Sequence, residues 1–324
     1  MNGLIVCVGD AVIDFMPLAQ PGTYERTGGG GPANVSVAAA KTGAKTAFCG
    51  MVGDDVFGHY LSDKLVESGV DVSGMCFTRE ATTTMTFVTL DESGDRDFVF
   101  ARKPGADMLY APEDVDENLI GSAPIVHFCS IMLSCEGLRN TTEKILRIAR
   151  ESGAVVSFDV NYRQSHWKDN EDALPAITQF IGDADILKLS EEEALWCSSS
   201  GTIERSARYF IDLGKPAVIT LGSKGALFIH NKTAMRCDAF PIKPVNTTGT
   251  GDAFWGAFLA QLAADGTPIE GLSMNKLTEM IVRCSASGAI AATKPGAIDA
   301  MPDIAELNGF LATNTAPNVK EMIL

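Results

Sequence analysis

The sequence predicts an α/β protein with a mainly parallel central sheet, helices on both of its faces and a small β lid. Three observations carry that prediction. From Ile125 onward, short apolar runs alternate with helix-like stretches, the order that builds a parallel sheet with crossover helices. The opening run Leu4 to Val8 ends in Gly9-Asp10, and open α/β sheets place ligands beyond the carboxyl ends of their strands. Between these regions, Thr84 to Leu90 and Asp97 to Ala101 are β-rich and flank Asp91-Glu92-Ser93-Gly94-Asp95, which reads as a hairpin.

In order, Leu4 to Val8 is a buried strand, with Asp10 at its end and Asp14 four residues later. Two carboxylates there can hold the hydroxyls of a polyol. Turn chemistry for Asp10 and a solvated or capping role for Asp14 explain each residue taken singly. Gly28-Gly29-Gly30-Gly31-Pro32-Ala33-Asn34 then feeds a helix of about three turns that stops at Gly43, since proline suits the first helical position and glycine the residue past the end. Successive glycines cost backbone entropy, so either a ligand approaches the main chain there or the turn from strand to helix is tight. Thr46 to Met51 is a strand and His59 to Glu67 a helix ended at Gly69.

The alternation then runs through strands at Ile125–Cys129, Val155–Val160 and Ile186–Leu189 and helices at Thr141–Glu151, Ala173–Ile181 and Ile203–Leu213, with strands at Val218–Leu221 and Ala226–His230 following. One α/β domain is expected over residues 1–312, with the lid drawn mainly from about 12–28 and 82–104. The polar residues 313–324 read as a loosely held tail.

Composition narrows the function. A formal charge of −15 argues against general affinity for nucleic acid or an anionic membrane surface, so an anionic ligand needs local help from backbone N–H groups, a few lysines or a divalent metal. The eight cysteines include no C-x-x-C pair and fall largely in apolar runs, as free thiols of a reducing compartment do. The four histidines are too dispersed for a zinc cluster. With no basic leader and no run of about 18 apolar residues, the cytoplasm is the expected location.

The chain is organised around Asn246-Thr247-Thr248-Gly249-Thr250-Gly251-Asp252-Ala253-Phe254, a glycine-bearing loop that feeds an apolar helix. A helix start leaves N–H groups unpaired at the positive end of the macrodipole, and glycines admit a bulky anion to the main chain. Asp252 then stands where it can take a proton from a hydroxyl beside that anion, as phosphoryl transfer to an alcohol requires. Helix capping by Thr250 and dipole complementation by Asp252 are the structural alternative. Gly28, Gly30 and Ala33 also match the G-x-G-x-x-A dinucleotide fingerprint of oxidoreductases, but the strand context that this fingerprint needs is missing before Gly28.

Gly30-Gly31-x-x-Asn34, continuing through Gly43, Gly50, Gly53-Asp54 and Gly58, together with Asn246 to Phe254, resembles the two signatures of the ribokinase-like carbohydrate kinase family. The similarity spans roughly Leu4 to Pro302, and two signatures in family order are far more specific than one. Within the family, Phe158-Asp159-Val160-Asn161-Tyr162-Arg163, Lys188-Leu189-Ser190-Glu191-Glu192-Glu193, Cys129-Ser130-Ile131-x-Leu133-Ser134 and Arg102 to Asp107 look most like bacterial fructokinases, with aminoimidazole riboside kinases close behind.

The resemblance implies an ATP- and Mg²⁺-dependent sugar kinase of ribokinase-like fold. Asp252 is the expected base, with Gly249, Thr250 and Gly251 as anion hole. Asp10, Asp14, Gly30, Gly31, Asn34, Arg102 and Arg163 are expected at the sugar, here D-fructose phosphorylated at its 6-hydroxyl. Lys188, Ser190 and Glu193 are expected at ATP and Mg²⁺, Glu193 through water. Thr220, Gly222 and Gly225 should follow the nucleotide, and Ser285, Ala286 and Gly288 the adenine. Many relatives carry Asp at position 246 beside a monovalent cation. The neutral Asn246 lacks that charge, so weak potassium dependence is expected. A homodimer through the lid follows from the same likeness. A sugar sensor without catalysis is disfavoured because Asp252 and both loop glycines are retained.

Overall fold

The computed structural model describes residues 3–18, 20, 22–90, 96–167 and 170–322. Strand β1 (Leu4–Val8) is followed by β2 (Val12–Pro17), β3 (Tyr24–Gly29), α1 (Gly31–Lys41), β4 (Lys45–Gly53), α2 (Val56–Glu67), β5 (Val70–Thr78), β6 (Met85–Leu90) and β7 (Arg96–Ala101). The alternating part comprises α3 (Glu117–Ser122), β8 (Ile125–Cys129), α4 (Glu136–Ser152), β9 (Val155–Asp159), α5 (Asn170–Asp183), β10 (Ile186–Ser190), α6 (Glu191–Cys197), α7 (Ile203–Asp212) and β11 (Ala217–Thr220). The chain closes with β12 (Ala226–His230), β13 (Thr233–Cys237), α8 (Thr250–Asp265), α9 (Met274–Ala292), α10 (Ile304–Thr313) and β14 (Val319–Glu321).

Ten strands form one sheet in the order β14-β13-β12-β11-β10-β9-β8-β1-β4-β5, parallel from β11 to β5 and antiparallel at the β14 side. The parallel strands are apolar on both faces because both are covered. Along β1, Val6 and Val8 join the core beneath α4 and α5, while Ile5 and Cys7 join that of α8 and α9. The order reverses between β1 and β8, and the crevice past their carboxyl ends is where such sheets bind ligands. β3-β2-β6-β7 is a separate four-stranded sheet, the expected lid. The turn expected at Asp91 to Asp95 lies outside the described residues.

Two differences from the sequence reading have physical causes. Residues expected as a loose tail instead supply β14, which pairs Val319 with Cys237 and so covers the open edge of β13. The edge strand β5 escaped notice because its polar and apolar residues do not make a continuous apolar run.

Helix α8 is buried over nearly its whole length, which is why its sequence shows no polar face. Trp255 stacks on Phe258 and donates from Nε1 to Ser157 Oγ at 3.0 Å, and Ser157 also pairs with His127 Nδ1 at 2.9 Å. An indole N–H left unpaired in this core would cost ~1–3 kcal/mol. The bond therefore sets the rotation of α8 about its axis and with it the direction of Asp252. Among the described residues no helix is long and apolar enough to cross a membrane, and all eight cysteines are free.

Candidate active site

The site is built where α1 and α8 begin. Gly249 precedes α8 with φ 75° and ψ −3°, a left-handed conformation that glycine adopts without a Cβ penalty, and no side chain caps the helix. Thr250 N donates to Thr247 O at 3.3 Å, and the next N–H groups, of Gly251 and Asp252, point past the helix start with no side-chain cap. Asn246 Oδ1 accepts from Thr248 N at 2.8 Å, which bends the loop into this start. At the other helix, Gly30 has φ 109° and packs on the Asp10 carbonyl so tightly that a Cβ would strike it. Gly30 is thus explained by close backbone packing at the strand end, while Cβ atoms at Gly29 and Gly31 would strike the Asp14 and Asn161 side chains; the turn brings Asn34 against Asp252, with Nδ2 donating to Oδ2 at 2.8 Å.

A cavity of about 540 Å³ lies between these helix starts, the strand ends and the lid. Of the expected sugar residues, Asp10, Asp14, Gly30, Gly31, Asn34 and Arg163 line it. Lys188, Ser190, Glu193, Thr220, Gly249, Gly251 and Asp252 line it as well. A second hollow of about 440 Å³, walled by Phe240, Pro241, Ile242, Pro244, Phe254, Ala289 and Ala292, takes in Gly222, Gly225, Thr250, Ser285 and Gly288. The two share Thr220, Thr247 and Gly251. A polar chamber therefore opens onto an apolar one at the first turn of α8.

Three expected residues lie elsewhere. Arg102 is absent from the cavity wall; it is buried and forked onto Asp107 Oδ2 through Nε at 2.7 Å and Nη2 at 2.6 Å, while Thr84 Oγ1 donates to Asp107 Oδ1 at 2.5 Å. A buried guanidinium needs a carboxylate, and this pair anchors the base of the lid. Ala286 is buried in the small core of Phe240, Ala289, Ile290 and Leu307, on the side of α9 that packs against α10. Asn246 is buried and turned to its own loop.

Other wall residues were missed. Asn161, Tyr162 and His166 follow β9, Cys129 ends β8 and Ile131 follows it, and Thr86 and Phe100 come from the lid. Phe100 meets His166 edge-on at 4.5 Å between centroids, so the lid touches the floor there. Carboxyl-end positions after each parallel strand were the available signal for the first two groups. The lid residues and the prolines of the apolar hollow carry no motif.

The cavity gathers charge away from water. Burial raises the Asp14 pKa to about 6 and, with Asp107 adding, the Asp10 pKa to about 7. Asp10 Oδ1 is buried without a hydrogen-bond partner. Asp252 is also raised by burial, against the pull of Lys188. Lys188 Nζ donates to Asp159 Oδ2 at 2.6 Å; burial works against its charge, but Asp159, Asp252 and Glu193 outweigh that and keep it protonated. A Cβ added at Gly251 would lie 3.2 Å from Lys188 Nζ, so the ammonium stands beside the open helix start. Glu193, raised by burial and by Asp159, accepts from Ser190 N at 2.8 Å and Tyr162 N at 2.7 Å.

The geometry offers an anion hole, a cation, a buried carboxylate and a hydroxyl-binding wall within one cavity, with an apolar slot adjoining it. The profile of the pfkB family of carbohydrate kinases matches residues 2–304. Fructokinase-2 of Solanum lycopersicum is 38% identical over 315 residues, covering 94% of this chain and 95% of its own. The crystal structure of the fructokinase from Vibrio cholerae O395 in its fructose, ADP and calcium ion bound form superposes with a TM-score of 0.87 at 33% identity, over 96% of this chain and 99% of that one. That of aminoimidazole riboside kinase from Salmonella enterica, complexed with aminoimidazole riboside and an ATP analog, gives 0.83 at 30% identity over 95% and 100%. The chain belongs to the pfkB family of carbohydrate kinases.

Proposed function

We propose that this pfkB carbohydrate kinase transfers the γ-phosphoryl group of ATP to the 6-hydroxyl of D-fructose, with Asp252 as the base. The observation that carries the reading is the meeting of the polar and apolar chambers at Gly251, one residue from Asp252. Fructose occupies the polar chamber, where Asp10, Asp14 and Asn34 offer acceptors and Arg163 a charged fork. The base of ATP lies against Phe240, Pro241 and Ile242, with Ser285 and Gly288 at its edge, and its phosphates run past Thr220, Gly222 and Gly225 to the start of α8.

There the open N–H groups and Lys188 offset charge on the transferring oxygens. Asp252 accepts the proton of the attacking hydroxyl, a contribution of ~10²–10⁴-fold in rate. The lid, through Phe100, Thr86 and Asp14, keeps water from competing with the sugar.

Among the described residues no cluster of three His, Cys, Asp or Glu side chains is arranged to hold a metal alone. A divalent ion held mainly by the ATP phosphates fits that donor set, with Glu193 reaching it through water. Mg²⁺ would supply neutralisation of phosphate charge. Asn246, already committed to Thr248 N through its oxygen, makes a weak monovalent-cation site, and activity should vary little between potassium and sodium buffers. The lid exposes Leu18, Tyr24 and Val99, and two copies pairing lid to lid would cover them. The free thiols fit a reducing cytoplasm.

Ile131, Phe100 and Tyr162 on the same cavity wall favour a second reading, an aminoimidazole riboside whose heterocycle would lie against them. The deciding measurement is kcat/KM for fructose, ribose and aminoimidazole riboside at one MgATP concentration. A pocket that hydrogen-bonds a particular hydroxyl rejects an analogue lacking it by up to ~10⁴-fold, so ribose, without the exocyclic hydroxymethyl group at the anomeric carbon, should fall far behind fructose. If either ribose or the riboside leads fructose by about tenfold or more, the fructose assignment fails and the kinase assignment stands.

A further inference from the structure

We propose that Asn34 is a positioning residue for the phosphoryl acceptor site: its side-chain amide fixes Asp252 Oδ2 and leaves Oδ1 to the sugar hydroxyl, so that the two glycine-rich signatures act as one unit. The proposal rests on the reading of Asp252 as base and gives Asn34 a task beyond contact with sugar. The bond is 2.8 Å long, joins residues 218 apart, and is buried at both ends. Its direction is determined, because turning the amide over would set its carbonyl oxygen against a carboxylate oxygen. Asn34 Oδ1 is left buried and without a partner on a residue that lines the cavity, which is where a sugar hydroxyl would donate.

The backbone is shaped for this contact. At Gly256, one turn beyond Asp252, a Cβ would fall 2.8 Å from both Val35 O and Ala39 N, so the glycine lets α8 cross α1 at close range. Ser287 Oγ donates to Ala253 O at 2.9 Å and braces α8 from α9. The groups facing Asp252 from the other elements are Lys188 on β10, Asp159 on β9, Arg163 after β9, Asp14 on the lid and Cys129 on β8. Burial disfavours the carboxylate charge, and Asn34 is the neutral donor that answers it directly.

The test is a carboxyl ¹³C NMR titration of Asp252 in the enzyme without sugar or nucleotide, the signal being identified by its loss in Asp252→Asn. Asn34→Asp places a like charge beside Asp252 and should raise its midpoint by about 1–3 pH units; the near-isosteric Asn34→Leu, which only removes the donor, should raise it less. In turnover assays with whichever sugar the parent uses best, both variants should lose kcat more than they raise KM. Midpoints that stay put, with KM alone raised, would overturn the proposal and leave Asn34 a sugar contact. Should a variant not fold, the parent decides: the Asn34 side-chain ¹⁵N resonance must shift with the Asp252 midpoint, and an independent response refutes the coupling. A parent that does not phosphorylate fructose still gives readable titrations, so the failure of the substrate assignment and the failure of this one are separable.

Discussion

Helices α6 and α8 both begin at the cavity, yet one start is closed and the other open. At α6, Ser190 Oγ accepts from Glu193 N at 3.1 Å while Glu193 Oε2 accepts from Ser190 N at 2.8 Å, a reciprocal capping box. Glu193 Oε1 also takes Tyr162 N, tying the loop after β9 to the same helix. Glu191, Glu192 and Glu193 fill its first turn with negative charge. At α8 a glycine stands in place of a cap, and Lys188 lies alongside. The field at α6 therefore disfavours an anion, while that at α8 favours one. Two helix starts with the same backbone dipole are given opposite tasks by their first four side chains.

The largest expected effect is at the open start. Asp252→Asn should lower kcat at least ~10²-fold while ATP binding and melting temperature stay near the parent's, because only the proton acceptor is removed. A near-normal rate would move the base elsewhere and dissolve the distinction between the two helix starts. Next is the cation that joins them. Lys188→Met leaves the buried Asp159 carboxylate without its partner, and Asp159 Oδ1 has none already. Urea unfolding should show a loss of ~3–5 kcal/mol, with part of it recovered in the Lys188→Met, Asp159→Asn double variant. A loss well under 1 kcal/mol would mean that water reaches Asp159 and that the pair is not a buried one.

How much of this was legible depends on the distance over which each feature is encoded. Asp10, the glycine run and Asp252 were readable because each stands within a few residues of the strand end or helix start it serves, the range over which capping and turn chemistry operate. The alternation from Ile125 onward revealed the parallel sheet for the same reason. The Asn34–Asp252 bond was not legible, since it joins residues 218 apart and depends on two helices crossing at Gly256. Arg102 stands off the cavity wall because Asp107, five residues on, claims its guanidinium, and residue types alone do not say whether a cation answers a neighbouring carboxylate or a ligand. Glu193 was placed near the nucleotide by resemblance, and the hydrogen bond to Tyr162 N that makes it a brace of the wall spans two strands. β14 went unseen because its pairing depends on an edge elsewhere in the fold.

The third prediction sharpens the contrast by asking what happens where a cavity carboxylate lacks a cation like Lys188. Asp14, raised to about 6, is more easily protonated in the folded protein than unfolded. A raised folded pKa contributes stability that is complete below the unfolded value near 4 and is lost as pH rises through the folded one. The ligand-free enzyme should therefore lose stability between about pH 4 and 7, with Asp10 acting in the same sense. Asp14→Asn should be more stable than the parent at pH 8 by about 1–3 kcal/mol and lose that advantage toward pH 4, while its kcat/KM for sugar falls. An advantage that does not change with pH would show that Asp14 ionises freely.

The smallest effect tests the closed start. Ser190→Ala removes the hydroxyl that accepts from Glu193 N and leaves the reverse bond, from Ser190 N to Glu193, in place. An N-cap of this kind contributes ~0.5–2 kcal/mol, so urea unfolding should move by about 1 kcal/mol. Because the retained bond still holds Glu193 and, through its other oxygen, Tyr162 N, the cavity wall should keep its shape. Turnover is then expected to fall by less than about tenfold, far short of the loss in Asp252→Asn. Were Ser190 itself to bind phosphate, KM for ATP would rise steeply while stability barely moved. That pattern would make α6 a second anion-binding start and erase the difference between the two helices. Loss of stability with KM for ATP nearly constant would instead leave α8 as the start that receives the phosphoryl group and α6 as the scaffold that holds the wall beside it.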